Sequence, residues 1–251
     1  ERASREADFG NFGYAKCPTG LVDVVIERCM KLYGWEVDPS WIVWLPGMVC
    51  ALNVSCRVFE KDSSQVFTQT PVYPPFLTAP GNFDLPCTRI PMVLNEGRFG
   101  IDFDALEALP SNPSDLFMLC HPHNPVGSAF TRDELKKFGE WVCRKDLYVC
   151  SDEIHCDLLL DPGLSHTPLA LLGPEVADRA ITLMAPSKTF NLPGFGCSYA
   201  IISSGKLRSR FKQAMAGIVP DPPAMGFALA ESAYRTGEAW RIELIDYLRE
   251  N

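Results

Sequence analysis

Six short runs of apolar, β-branched and aromatic residues punctuate the chain, at 41–45, 65–69, 115–120, 147–151, 180–184 and 198–202. Several are apolar at nearly every position, as in Leu116-Phe117-Met118-Leu119-Cys120, which is how a strand reads when both of its faces are covered. Between them, 48–59, 102–108 and 131–145 carry apolar residues at helical spacing. The third opens on Thr131 with Glu134 three residues later, a capping box that supplies acceptors to the free N–H groups of a helix start. Alternation of this kind predicts an α/β fold, a three-layer α/β/α arrangement around a mainly parallel sheet. Near the end, Phe227, Ala230, Ala233 and Tyr234 followed by Trp240, Leu244 and Leu248 predict one long helix over 225–251, without a terminal glycine cap. That missing cap, and a charged start at Glu1 in place of a methionine, suggest an excerpt of a longer chain.

Composition narrows the partners. With 251 residues, 47% of them hydrophobic and 22% charged, the chain can bury a sizeable core. No run is long and apolar enough for a transmembrane helix, which sets membrane insertion aside. A net charge of −8 argues against a nucleic-acid surface, which needs clustered Lys and Arg. A small-molecule partner and, in the absence of a secretory signal, a cytoplasmic location are expected. The 10 cysteines stand singly in apolar runs, as at Cys120, Cys150 and Cys197, and read as reduced, buried hydrophobes. No CxxC pair occurs, and His121 and His123 lack a second ligand cluster, so no metal is expected.

Three polar clusters each follow an apolar run. Ala185-Pro186-Ser187-Lys188-Thr189-Phe190-Asn191 puts a lysine at the carboxyl end of a buried strand, the edge where ligands collect in open α/β sheets. A lysine partly desolvated there loses its proton more easily and can form a Schiff base with an aldehyde. Ser151-Asp152-Glu153-Ile154-His155 and His121-Pro122-His123-Asn124-Pro125-Val126-Gly127 occupy equivalent places. Taken singly, Lys188 reads as a surface lysine, Asp152 as a helix cap and Asn124 as part of a plain turn. Their shared position at strand ends favours a common site. Pro46-Gly47-Met48-Val49 lies between a strand and a helix, where N–H groups and the helix dipole attract an anion, and Ser187 can add a hydroxyl. Tyr73, among Pro71, Pro74 and Pro75, fills a loop at the core edge on local grounds alone.

An N-P-x-G turn, a strand-end Asp and a Ser-Lys pair, in this order, resemble the fold-type I pyridoxal 5′-phosphate (PLP) enzymes of the class I/II aminotransferase family. The spacings are similar too, Asp152 standing 28 residues after Asn124 and 36 before Lys188. The fuller wording P-H-N-P-V-G, S-D-E-I-H-C-D and A-P-S-K-T-F-N resembles the MalY/PatB type of cystathionine β-lyases and cysteine-conjugate C–S lyases. Phe12-Gly13-Tyr14, Tyr33-Gly34-Trp35 and Pro71-Val72-Tyr73 extend the likeness over nearly the whole chain.

The resemblance implies that residues 1–251 form the PLP-binding large domain of an aminotransferase-like fold, without the N-terminal segment or the C-terminal small domain. Lys188 would form the internal Schiff base and then remove the α-proton, with Asp152 paired to the pyridine nitrogen and Asn124 donating to the phenolate oxygen. His155 would lie beside that oxygen, where aminotransferases usually carry tyrosine, and Tyr73 would stack on the ring. Ser187 and the backbone of Gly47, Met48 and Val49 would hold the phosphate, although Ala185 lacks a hydroxyl, and Gly196 replaces an arginine, often found in the family. Tyr14 would reach a neighbour's active site, implying a homodimer with shared sites, while the family's carboxylate-binding arginine has no counterpart in the chain. The implied reaction is α,β-elimination from cystathionine or another L-cysteine S-conjugate, giving pyruvate, ammonia and a thiol. An aminotransferase, or an inactive PLP-binding regulatory protein, remains the alternative.

Overall fold

The computed structural model describes residues 2–10, 13–62 and 65–251, so Phe12 of the Phe12-Gly13-Tyr14 stretch lies outside it. Its strands are β1 (Ile42–Leu45), β2 (Val66–Thr70), β3 (Cys87–Pro91), β4 (Val93–Asn95), β5 (Arg98–Gly100), β6 (Leu116–Cys120), β7 (Tyr148–Asp152), β8 (Ala180–Met184) and β9 (Ser198–Ile201). Seven of them form one sheet in the order β1-β9-β8-β7-β6-β2-β3, and β4 and β5 make a separate hairpin. Neighbours from β8 through β3 pair in parallel, and β9 is antiparallel to both β8 and β1. The carboxyl ends of β1, β2, β6, β7 and β8 therefore share one edge of the sheet.

The helices are α1 (Arg2–Phe9), α2 (Thr19–Tyr33), α3 (Met48–Phe59), α4 (Pro75–Thr78), α5 (Phe103–Glu107), α6 (Arg132–Arg144), α7 (Pro174–Ala177), α8 (Gly205–Met215), α9 (Ala224–Thr236) and α10 (Glu238–Glu250). Both the capping box of α6 and the Asp102 cap of α5 form as the sequence requires. Alternation along β6 explains the layers. Leu116, Met118 and Cys120 face α3 and α8, and Phe117 and Leu119 face α6. All five are buried, so the strand has no polar face. On the α6 side, Phe117, Phe138 and Trp141 meet edge-to-face or tilted with centroids 4.9–5.9 Å apart, and burying each contributes about 2–3 kcal/mol. A third cluster joins α2 and α9 to the β1–β9 end of the sheet. Among the described residues no helix is long and apolar enough to cross a membrane.

Two expectations need correction. The single helix over 225–251 is broken at Gly237, the residue between α9 and α10. There a Cβ would lie 2.6 Å from the Phe190 ring and 2.5 Å from the Ala233 oxygen, so glycine permits a close approach that the apolar periodicity did not reveal. The ten cysteines are all free, but only Cys29, Cys56, Cys120, Cys150 and Cys197 are buried, the others being half-buried.

Candidate active site

The carboxyl edge is tied together loop by loop. Tyr73 N donates to the Asn124 oxygen at 3.0 Å, and His123 Nε2 to the Pro71 oxygen at 2.8 Å, joining the loops after β2 and β6. His121 N donates to the Asp152 oxygen at 2.9 Å, and Glu153 N to the Leu183 oxygen at 2.8 Å, extending the chain of contacts to β7 and β8. At the other end, Ser198 Oγ donates to the Leu45 oxygen at 3.1 Å, fixing the start of β9 against the end of β1.

These loops enclose a cavity of about 200 Å³. Lys188, Asp152, Asn124, Tyr73, His155 and Ser187 all line it, as do Gly47, Met48 and Val49. Every cofactor-site residue expected from the sequence is thus brought to one place. Tyr14 is not: it is fully exposed and borders a separate groove with residues 219–225.

The floor and the rim differ. Asp152 is 3% exposed, and burial pushes its carboxyl up to about 7. The Ile154 N–H, donating to Oδ1 at 3.2 Å, pulls the other way, the neighbouring Glu153 charge raises it further, and Lys188 lowers it. His155 is half-buried, and burial, followed by the Lys188 charge, lowers its proton affinity. Lys188 itself is exposed on the turn after β8, so the desolvation expected of it is not provided by the walls of this chain. The reason is geometric: β8 ends at Met184, and the turn carries the lysine out to the rim.

The start of α3 borders the cavity largely with backbone. No side chain caps the first turn of α3, which leaves N–H groups facing outward beneath Gly47. A Cβ at Gly47 would meet no atom within 4 Å, so the space over this helix start is open.

Sequence reasoning missed Cys120, Ile154, Pro193, Cys197 and Ser198 in the lining, and gave Gly196 no role of its own. Gly196 has φ +58, and a Cβ there would lie 2.9 Å from the Pro46 oxygen. A glycine shortly before a strand is a faint signal of such an approach. Cys120 and Ser198 reach the cavity as strand ends, and Ile154, Pro193 and Cys197 through the loops beside them, which no local motif encodes.

Fold and cavity together define an α/β protein with an amine, a buried acid and an uncapped helix start at the carboxyl edge of its sheet. The chain belongs to the aminotransferase class I and II family, whose profile matches residues 11–241. It is 37% identical over 257 residues to cystathionine beta-lyase PatB of Bacillus subtilis (strain 168), covering 100% of this chain and 65% of that protein. The crystal structure of OvoB superposes with a TM-score of 0.96 at 40% identity, covering 99% of this chain and 66% of that one. Cystalysin from Treponema denticola, whose crystal structure contains a pyridoxal 5′-phosphate cofactor, superposes with a TM-score of 0.91 at 32% identity, over 97% and 62% of the two chains. The chain thus spans somewhat less than two thirds of the length of the curated relatives it matches first.

Proposed function

We propose that the cavity binds PLP and that the protein catalyses α,β-elimination, cleaving the Cβ–S bond of L-cystathionine or another L-cysteine S-conjugate to pyruvate, ammonia and a thiol. The observation that carries this reading is the meeting of Lys188, buried Asp152, Asn124 and the open start of α3 in one cavity. The residues fit the cofactor: a buried carboxyl held near neutrality suits a ring nitrogen, an uncapped helix start suits a phosphate, and a primary amine suits an aldehyde. The names of the relatives support the lyase branch.

When bound, PLP supplies an electron-withdrawing ring that stabilises negative charge at the substrate Cα. Asp152, buried at the cavity floor, would pair with the ring nitrogen and keep it protonated. Asn124 would donate its side-chain N–H to the phenolate oxygen, from a turn that the Tyr73 N–H holds through the Asn124 backbone oxygen. Tyr73 would cover one face of the ring. His155, held neutral by its surroundings, lies on the same side as Asn124. Lys188 Nζ would hold the cofactor aldehyde and, when free, could take the proton from the substrate Cα. Gly47, Met48, Val49 and Ser187 would provide the phosphate contacts.

Tyr14 belongs to this reading as a residue given to a second copy of the chain, in a homodimer with shared sites. Its full exposure and its absence from the cavity lining of its own chain support that role. The test is product analysis with cystathionine. Pyruvate released without added keto acid supports elimination. Amino transfer dependent on a keto acid assigns a transaminase, and PLP binding without turnover assigns a regulatory protein.

A further inference from the structure

Behind the cavity floor lies a buried polar group that the reaction above does not use. Glu153 is 0% exposed and is satisfied by three donors: Ser151 Oγ at 2.8 Å, Leu169 N at 3.0 Å and His166 Nε2 at 2.6 Å. A carboxylate so deeply buried persists only when fully paired. Side chains alternate along a strand, so Asp152 turns into the cavity and Glu153 turns away from it. Whatever holds Glu153 therefore also holds Asp152.

His166 reaches a second loop as well. Its ring stacks on His121 with centroids 4.6 Å apart and planes at 25°, and His121 stacks in turn on Phe130 at 5.6 Å. Burial keeps His121 well below the usual histidine range, so it packs as a neutral ring. His121 opens the turn that carries Asn124, and its N–H is the donor to the Asp152 oxygen. The side chain of His166 is 1% exposed, its ring meets the edge of Tyr33, and it does not line the cofactor cavity.

We propose that His166 is a positioning residue: by bonding Glu153 and stacking on His121 it locks the loop bearing Asn124 and the loop bearing Asp152 and His155 into one register. This rests on reading the cavity as the cofactor site. It assigns a function to a histidine 13 residues beyond Glu153 and outside the lining of the cavity.

The test compares three variants in the protein, reading PLP affinity and visible spectrum together with amide hydrogen exchange. His166→Phe keeps a ring for the stack but removes the donor to Glu153. It should bind PLP about tenfold more weakly, as loss of one buried charge-assisted hydrogen bond implies, with an altered visible band. Exchange should accelerate in both 121–124 and 152–156. His166→Gln, which can still donate, should restore most of the affinity. If His166→Phe does not fold, His166→Leu, which removes the donor and the ring together, takes its place with the same expectations. Unchanged PLP affinity and spectrum in the folded variant would overturn the proposal. Should the unaltered protein bind no PLP at all, the cofactor reading fails instead. The positioning role then stands if exchange quickens in both loops of the variant, and falls if either is unaffected.

Discussion

The floor and the rim of the cavity come from neighbouring strands of one sheet, yet they are physically unlike. At the floor, Asp152 is enclosed by β6, β7 and β8 and backed by Glu153, and burial dominates its proton affinity. At the rim, Lys188 and Val49 are exposed and Tyr73 is 36% exposed. The difference teaches that the fold spends stability to fix the acid while leaving the amine free to meet its partner. A buried ionisable group costs the folded state what it contributes to a bound ligand. An exposed one costs little and can be replaced with little structural consequence.

The sharpest break of this comparison is Lys188→Ala. Because the side chain is exposed, the variant should fold and melt as the unaltered protein does, while the borohydride-reducible link to PLP disappears and pyruvate formation falls by about 10²–10⁴-fold or more. Retention of a reducible link, detected by mass spectrometry after reduction, would assign the aldehyde to another lysine.

Asp152→Asn should show the opposite combination, weaker PLP binding with a more stable apoprotein at alkaline pH. Asp152 binds its proton more tightly in the folded state, rising from 3.8 to about 7, so folding is favoured with the proton on. Its contribution is fully present below about pH 4 and is lost as the pH rises through about 7, on the order of 4 kcal/mol across that window. The asparagine variant should lack this portion of the pH dependence. Denaturant titrations of both apoproteins from pH 5 to pH 8 would read it, and identical slopes would mean that the carboxyl is not buried as the floor requires.

Gly196→Ala tests the wall between floor and rim. Its left-handed backbone and the nearby Pro46 oxygen should make alanine cost about 1–3 kcal/mol, seen as a lower melting temperature together with weaker PLP binding. A neutral result would show that the Pro46 turn yields easily. The smallest effect is expected for Tyr73→Ala at the rim. Loss of one aromatic stack, about 1 kcal/mol, should weaken PLP about fivefold without changing stability, by absorbance titration and thermal melting.

Much of the active edge was legible because its signals are local. A strand buried on both faces must be apolar at nearly every position, so the ends of Leu116–Cys120 and Ala180–Met184 could be located from the sequence, and the polar residues just beyond them stood out. The Thr131–Glu134 box was equally plain, since a capping residue must satisfy the free N–H groups of a helix start. The resemblance then supplied roles that spacing alone leaves open, such as the stacking of Tyr73. Tertiary structure decided what depends on distant partners. Gly237 breaks the last helix because Phe190 packs against it, and Gly196 is required because Pro46 lies close. Glu153 and His166, ordinary in sequence, become one buried pair because the loop after β7 folds back on its own strand. The same holds for the charge states of the site. Sequence named Asp152 and Lys188 with equal clarity, but only the depth of each in the sheet made one a buried acid and the other an exposed amine, because desolvation depends on every chain segment that surrounds a group.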